Sequence, residues 1–180
     1  MIFKQLSLQG AWCIDLEKKE DSRGFFARLF CADEFIAHGL SAQWVQCNTS
    51  LTAKAGTVRG MHFQRRPVAE DKVLRCLRGS VYDVLVDLRA GSPSFGKWAS
   101  LELSADNRAM VYIPKGFAHG FQTLEDNTEL LYFHSERYSK AHEGGVRFDD
   151  PDLAISWPLS PTDMSERDQS HPSLVQLEPL

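Results

Sequence analysis

From Trp12 to Phe133 the chain alternates apolar and polar residues in short runs, a period of two that suits half-buried β-strands and little else. The runs are Trp12-Cys13-Ile14-Asp15-Leu16, Val73 to Leu77, Ser80 to Leu88, Trp98 to Leu103, Ala109 to Ile113, Gly120 to Leu124 and Thr128 to Phe133. Turn formers divide them, among them Arg78-Gly79, Gly91-Ser92-Pro93 and Pro114-Lys115-Gly116. Spacing this regular predicts a mostly β chain folded as an antiparallel sandwich or barrel. Only Ala32 to Gly39, with acidic residues in its first turn and a glycine stop, predicts a helix, and a second short one is expected near Asp150–Leu153. With 180 residues and 43% hydrophobic content, the chain is expected to form one domain over residues 1–180 around one core. No internal repeat or linker stands out, and a polar tail from about Ser160 must cross the surface or pack on the body.

Charge and composition exclude several function classes. A net charge of -4 leaves no nucleic-acid footprint, although a local basic pocket could still hold phosphate. The opening MIFKQLSLQG lacks the basic start, apolar run and small-residue cleavage site of a secretory signal, and no stretch approaches the roughly 18 apolar residues of a membrane span. A cytoplasmic location is the expectation. Cys13, Cys31, Cys47 and Cys76 are too widely separated for a zinc site or a disulfide framework and read as reduced thiols in or near the core.

Two histidines fall inside expected strands. In Gly56-Thr57-Val58-Arg59-Gly60-Met61-His62-Phe63-Gln64, glycines that suggest a bulge or close backbone approach bring Arg59 near His62. In Ile113-Pro114-Lys115-Gly116-Phe117-Ala118-His119, a proline-glycine turn delivers His119 to the start of another strand. This P-x-G-x-x-H pattern resembles the second motif of cupins, so the expected fold is a cupin-like antiparallel β-sandwich or jelly-roll barrel with a few short helices. The first cupin motif is degraded, because Phe63 and Gln64 follow His62 where a second histidine would stand. His62 and His119 alone fall short of the three protein ligands usual in catalytic metal sites, so no metal is expected. Such a barrel must work with protonatable side chains.

Further blocks carry a more specific resemblance. They are Asp21-Ser22-Arg23-Gly24-Phe25-Phe26, Gln46 to Ser50, Val58 to Gln64, Lys72 to Cys76, Gly79 to Arg89, Ser92 to Trp98, Ile113 to Phe121, Asp149-Asp150-Pro151 and Ile155 to Pro158. In this order they resemble the nucleotide-sugar 3,5-epimerases typified by dTDP-4-dehydrorhamnose 3,5-epimerase, over nearly the whole length. The resemblance implies inversion of C3 and C5 in a nucleotide-linked 4-keto-6-deoxyhexose, with no cofactor. It assigns His62 as general base, Asp168 as its orienting carboxylate, Lys72 beside the C4 oxygen and Tyr132 as the acid on the opposite face. It places Arg23, Arg59, Arg167 and Lys72 toward the diphosphate, Gln46, Asn48, His119 and Glu143 along the site, and Tyr138 against the base. It also implies a homodimer in which the Arg23 region completes the partner's site.

Taken singly, Tyr132 reads as a core or rim tyrosine, Lys72 as a solvated lysine and Asp168 as a surface charge. The chain also departs from the family pattern. Arg28 stands near where family members carry a glutamate against the nucleotide, which opens cytosine or guanine as the base in place of thymine. The rival readings are a C3-only epimerase, a 3,4-ketoisomerase on a dTDP-, CDP- or GDP-sugar, a non-catalytic sugar-binding cupin, and a metal-dependent dioxygenase or isomerase.

Overall fold

The computed structural model describes residues 1–180. In chain order the strands are β1 (Ile2–Gln5), β2 (Trp12–Asp15), β3 (Lys19–Asp21), β4 (Gly24–Phe26), β5 (Gln46–Thr52), β6 (Val58–Gln64), β7 (Lys72–Arg78), β8 (Ser80–Asp87), β9 (Trp98–Ser104), β10 (Met110–Ile113), β11 (Phe117–Thr123), β12 (Thr128–His134) and β13 (Glu143–Gly145). The helices are α1 (Ala32–Ala37) and α2 (Glu166–Gln169), followed by a 3₁₀ turn at Leu174–Gln176. A six-stranded sheet in the order β1-β2-β10-β7-β12-β5 faces a five-stranded sheet in the order β13-β6-β11-β8-β9, and β3 and β4 pair only with each other. The pairings are antiparallel, in an open sandwich of cupin type.

Three apolar layers hold the sheets. Between them lie Leu74, Cys76, Val111, Ile113 and Leu130 from one sheet against Val81, Leu85, Phe117 and Phe121 from the other. Outside the five-stranded sheet, Met61, Phe63, Val84, Val86 and Ala118 are covered by Leu153, Trp157, Leu174, Leu177 and Leu180, so the polar tail packs through its few apolar residues. Outside the six-stranded sheet, Ile14, Val73, Met110 and Tyr112 meet Phe35 and Leu40. Strands covered on both faces lose their alternation, which is why every residue of β10 and β11 is buried.

Helix α1 stops as its sequence expects. Gly39 adopts φ +71°, and the Leu40 N–H donates to the Phe35 carbonyl at 2.9 Å while Gly39 N–H donates to that of Ile36. This 6→1 and 5→2 pair satisfies the last carbonyls and brings Leu40 back onto Phe35. The helix expected near Asp150 is instead a single turn. Asp150 Oδ1 accepts from the N–H groups of Asp152 and Leu153, and Ala154 at φ +47° ends the turn before a second bond can form. Of the cysteines, all four are free, Cys76 is buried, and Cys47 departs from expectation by lying exposed on edge strand β5.

Candidate active site

A bulge in β6 creates the site. Residues three apart on a regular strand face opposite sides, which would separate Arg59 from His62. Here His62 pairs with His119 and Arg59 with Phe121, so two residues of β6, Gly60 and Met61, stand against the single Gly120 of β11. Both side chains therefore share the face that carries His119 and Phe121, toward the opposite sheet. Gly60 has φ +134°, and a Cβ there would fall 2.5 Å from the Gly120 Cα and 2.9 Å from the His119 carbonyl. The bulge thus requires glycine.

The tail then supplies what the sandwich lacks. Beyond β13, strand β6 has an open edge, and the tail lies along it through a Thr57–Asp163 bridge. Ser165 caps α2 by accepting from the Asp168 N–H, and the turn buries the Asp168 carboxylate behind His62. Asp168 Oδ1 lies 2.8 Å from His62 Nε2, and Oδ2 accepts from the Gly60 N–H at 3.2 Å. Burial alone would raise the Asp168 carboxyl. The His62 hydrogen bond, the His62 charge and the Gly60 N–H outweigh that and hold it far below the usual carboxylate range. A carboxylate only accepts, so His62 Nε2 carries the proton and Nδ1 keeps the free lone pair.

Arg167 brings positive charge to the same place. Its Nε donates to Asp168 Oδ1 at 3.4 Å and its Nη1 to Glu143 Oε2 at 3.2 Å, while its Nη2 lies 3.2 Å from His62 Nε2, a contact that is not a hydrogen bond once that nitrogen carries the proton. A cleft of about 470 Å³ runs past His62, Arg59, Arg167 and Asp168. A second of about 340 Å³ continues past His62 to Glu143, Arg65 and His171.

The opposite wall belongs to the six-stranded sheet. Tyr132 packs on the inner apolar layer and pairs across strands with Asn48 and Leu74. Its hydroxyl lies 2.9 Å from Ser50 Oγ. Burial pushes the Tyr132 phenol up to about 12; the Ser50 bond partly offsets this, while the Asp83 charge adds to it and Arg59 opposes it. The phenol therefore stays protonated at neutral pH. Lys72 shares this inner face, with its ammonium 3.2 Å from Glu70 Oε1. His119 Nε2 meets the fully buried Asp83 at 2.8 Å, and burial raises the Asp83 carboxyl against the pull of that histidine.

His62, Asp168, Arg59, Arg167 and Glu143 line the two clefts, and His119, Lys72 and Tyr132 stand on the inner faces of the same sandwich. Gln46 and Asn48 lie on β5, where Gln46 Oε1 accepts from the Tyr138 N–H at 3.2 Å. Tyr138 is 57% exposed, and its phenol is raised by a hydrogen bond to Glu143. Arg23 and Arg28 are not brought to these clefts. Arg23 points outward from the β3–β4 hairpin and pairs with Asp21, while Arg28 Nη1 donates to Glu34 Oε1 at 2.7 Å. The acceptor that Arg28 answers is thus on α1 of its own chain.

Several residues at the site were not singled out from sequence. His171 sits edge-on to His62 with ring centroids 5.5 Å apart, its Nε2 buried without a partner and 3.8 Å from Asp168 Oδ1. Burial, then the His62 charge, lower its pKa. Nothing in the tail's composition signals it. Asp83 had a signal, since it occupies an inward position between Val81 and Leu85 where the pattern calls for an apolar residue. His62, Asp168 and His171 also bring three potential metal-ligand atoms within 4.8 Å of one another. The Arg167 guanidinium beside two of those atoms disfavours a cation, and the 2.8 Å contact suits a shared proton.

The chain is similar to known proteins in both sequence and fold. The family model for dTDP-4-dehydrorhamnose 3,5-epimerase matches residues 5–176. A dTDP-4-dehydrorhamnose 3,5-epimerase from Sinorhizobium fredii is 45% identical over 178 residues, covering 98% of this chain and 91% of the relative. The crystal structure of one from Elizabethkingia anophelis superposes with a TM-score of 0.93 at 38% identity, covering 96% of each chain. A 3,5-epimerase from Legionella pneumophila, solved with dTDP-4-keto-L-rhamnose, gives 0.91 at 34% identity over 98% of this chain and 94% of that one. Matched over nearly all its length by both sequence and fold, the chain belongs to the dTDP-4-dehydrorhamnose 3,5-epimerase family.

Proposed function

We propose that this protein inverts C3 and C5 of a dTDP-linked 4-keto-6-deoxyhexose by proton transfer through an enolate. The observation that carries this reading is the placement of a base and an acid on facing sheets: His62 with a free Nδ1 on β6 and the protonated Tyr132 on β12. His62 Nδ1 removes the proton beside the ketone, and Asp168 stabilises the imidazolium that results. The Lys72 ammonium supports negative charge on the C4 oxygen, a contribution of about 3 kcal/mol for one well-placed donor. Tyr132 returns a proton from the other face, which inverts the centre.

Arg59 and Arg167, both at the cleft beside His62, take the diphosphate, and the exposed Tyr138 ring stacks on the base. The ion pair between Arg28 and Glu34 accounts for Arg28 within its own chain, so the arginine gives no reason to prefer cytosine or guanine. A homodimer fits the β3–β4 hairpin, which joins neither sheet and leaves Phe26 75% exposed; Arg23 at its tip would reach the partner's site. No helix is long and apolar enough to cross a membrane, and the reading places the enzyme in the cytoplasm.

Incubation with dTDP-4-keto-6-deoxyglucose in heavy water tests the proposal. Deuterium entering at C3 and C5, abolished by His62→Asn, is the expected result. Label at C3 alone would reassign the protein to the single-centre epimerases, and undiminished exchange in H62N would overturn the role of His62. Turnover of matched dTDP, CDP and GDP sugars fixes the base, with dTDP expected to lead.

A further inference from the structure

One buried charge cluster on the inner face of the six-stranded sheet has no part in the proton transfers above. Glu70, in the lead-in to β7, is only 8% exposed at its side chain, and its two oxygens face two different groups. Oε1 accepts from Lys72 Nζ at 3.2 Å and Oε2 from His134 Nδ1 at 2.8 Å. The far side of that imidazole reaches β5, where Asn48 Nδ2 stands 3.3 Å from His134 Nε2. Burial alone would raise the Glu70 carboxyl, and the His134 bond and Lys72 charge reverse this, so it is held ionised.

The proton positions follow from donor and acceptor capacity. An ionised carboxylate only accepts, so His134 carries its proton on Nδ1. Nε2 then holds a lone pair and accepts from the Asn48 amide. This fixes the Asn48 carboxamide with its N–H toward His134 and its oxygen directed elsewhere. One histidine tautomer therefore sets which end of Asn48 faces the cavity, and the same carboxylate anchors the Lys72 ammonium.

We infer that Glu70 and His134 are positioning residues, a relay that holds Lys72 and orients Asn48 for substrate from opposite ends of one hydrogen-bonded chain. This rests on the reading of Lys72 and Asn48 as substrate contacts. Glu70 acts on the rate through Lys72, whose ammonium must stand at the C4 oxygen as charge develops there. His134 acts on affinity through Asn48.

Two near-isosteric variants separate these effects. Glu70→Gln offers only one acceptor oxygen to two donors and removes the charge that anchors Lys72. It is expected to lower kcat by about tenfold to a hundredfold, the scale of a misplaced catalytic group. His134→Asn keeps an N–H for Glu70 in the place of Nδ1 but has no second nitrogen for Asn48. It is expected to raise KM about fivefold, the loss of roughly one neutral hydrogen bond, and to leave kcat within about twofold. Thermal melts of both variants report folding independently. The split between kcat in one variant and KM in the other supports the relay. An active wild type whose two variants change neither parameter, or lose both together in step with stability, overturns the relay and leaves the epimerase reading standing. A wild type without exchange activity would instead overturn the function on which the relay depends.

Discussion

Replacing Asp168 by Asn changes one atom type at the most constrained point of the site. The carboxylate accepts from three donors, His62 Nε2 at 2.8 Å, the Gly60 N–H at 3.2 Å and Arg167 Nε at 3.4 Å, whereas an amide has one acceptor oxygen. If that oxygen faces His62, the amide N–H₂ meets the buried Gly60 N–H donor to donor, and stability falls by about 1–3 kcal/mol. If the N–H₂ faces His62, the imidazole must accept on Nε2, its proton moves to Nδ1, and the lone pair that would take the substrate proton is gone. Both arrangements lose the negative charge that stabilises the imidazolium. The equivalent exchange in a histidine–aspartate pair costs about 10⁴ in kcat. The expected loss for D168N is therefore about 10²–10⁴, or roughly 3–5 kcal/mol of barrier. KM should move little, because Asp168 is buried behind His62. Initial rates of deuterium uptake by mass spectrometry, with a thermal melt of the same preparation, measure both quantities. A D168N enzyme with kcat within about threefold of wild type and an unchanged melt would refute the dyad.

Stability should carry the same signature in acid. The Asp168 carboxyl is depressed on folding, so its contribution is complete above its unfolded value of about 3.9 and is lost as pH falls through the lower folded value. The stability gap between wild type and D168N, followed by denaturant titration, should close below about pH 4 and stay constant above it. Gly60→Ala combines a positive φ with a Cβ 2.5 Å from the Gly120 Cα; it should destabilise by at least about 2 kcal/mol and lower Tm by about 4 °C or more. Turnover should be indifferent to a strong chelator, since Arg167 lies against the only His-Asp-His cluster able to hold a cation, and chelator-sensitive activity would reopen that site.

The strands that build the sandwich were legible because their side chains answer to two environments at once. Val81 and Leu85 on one face of β8 and Val84 and Val86 on the other lie in separate apolar layers, and β8 runs over Ser80–Asp87, one residue short of the expected Leu88. Strand β5 gave no such signal. Its sequence Gln46-Cys47-Asn48-Thr49-Ser50-Leu51-Thr52 is nearly all polar, because Gln46, Asn48 and Ser50 meet the Tyr138 N–H, His134 and the Tyr132 hydroxyl in place of a core. A strand that lines a site loses the pattern by which strands are recognised.

The same physics limited the site. Glycines hinted at the bulge that aligns Arg59 with His62, but no periodicity spans the separation of 106 positions from His62 to Asp168. Only the resemblance to a family connected them. The expected helix at Asp150 failed because a capping aspartate also closes a lone turn, and the short helix that matters, α2, hides in a polar tail. Glu70 and His134 belong to no motif picked out in the sequence, and only the fold buries them together.

The proposed action of acid and base on opposite faces of the sugar is probed by Tyr132→Phe in heavy water. With the phenol gone, His62 can still remove a proton, exchange it with solvent and return deuterium to the same face. Label is expected at the carbons next to the ketone, with their configuration retained and net inversion lost. Inversion at the wild-type rate, or equal loss of exchange and inversion in a folded Y132F protein, would contradict that proposal.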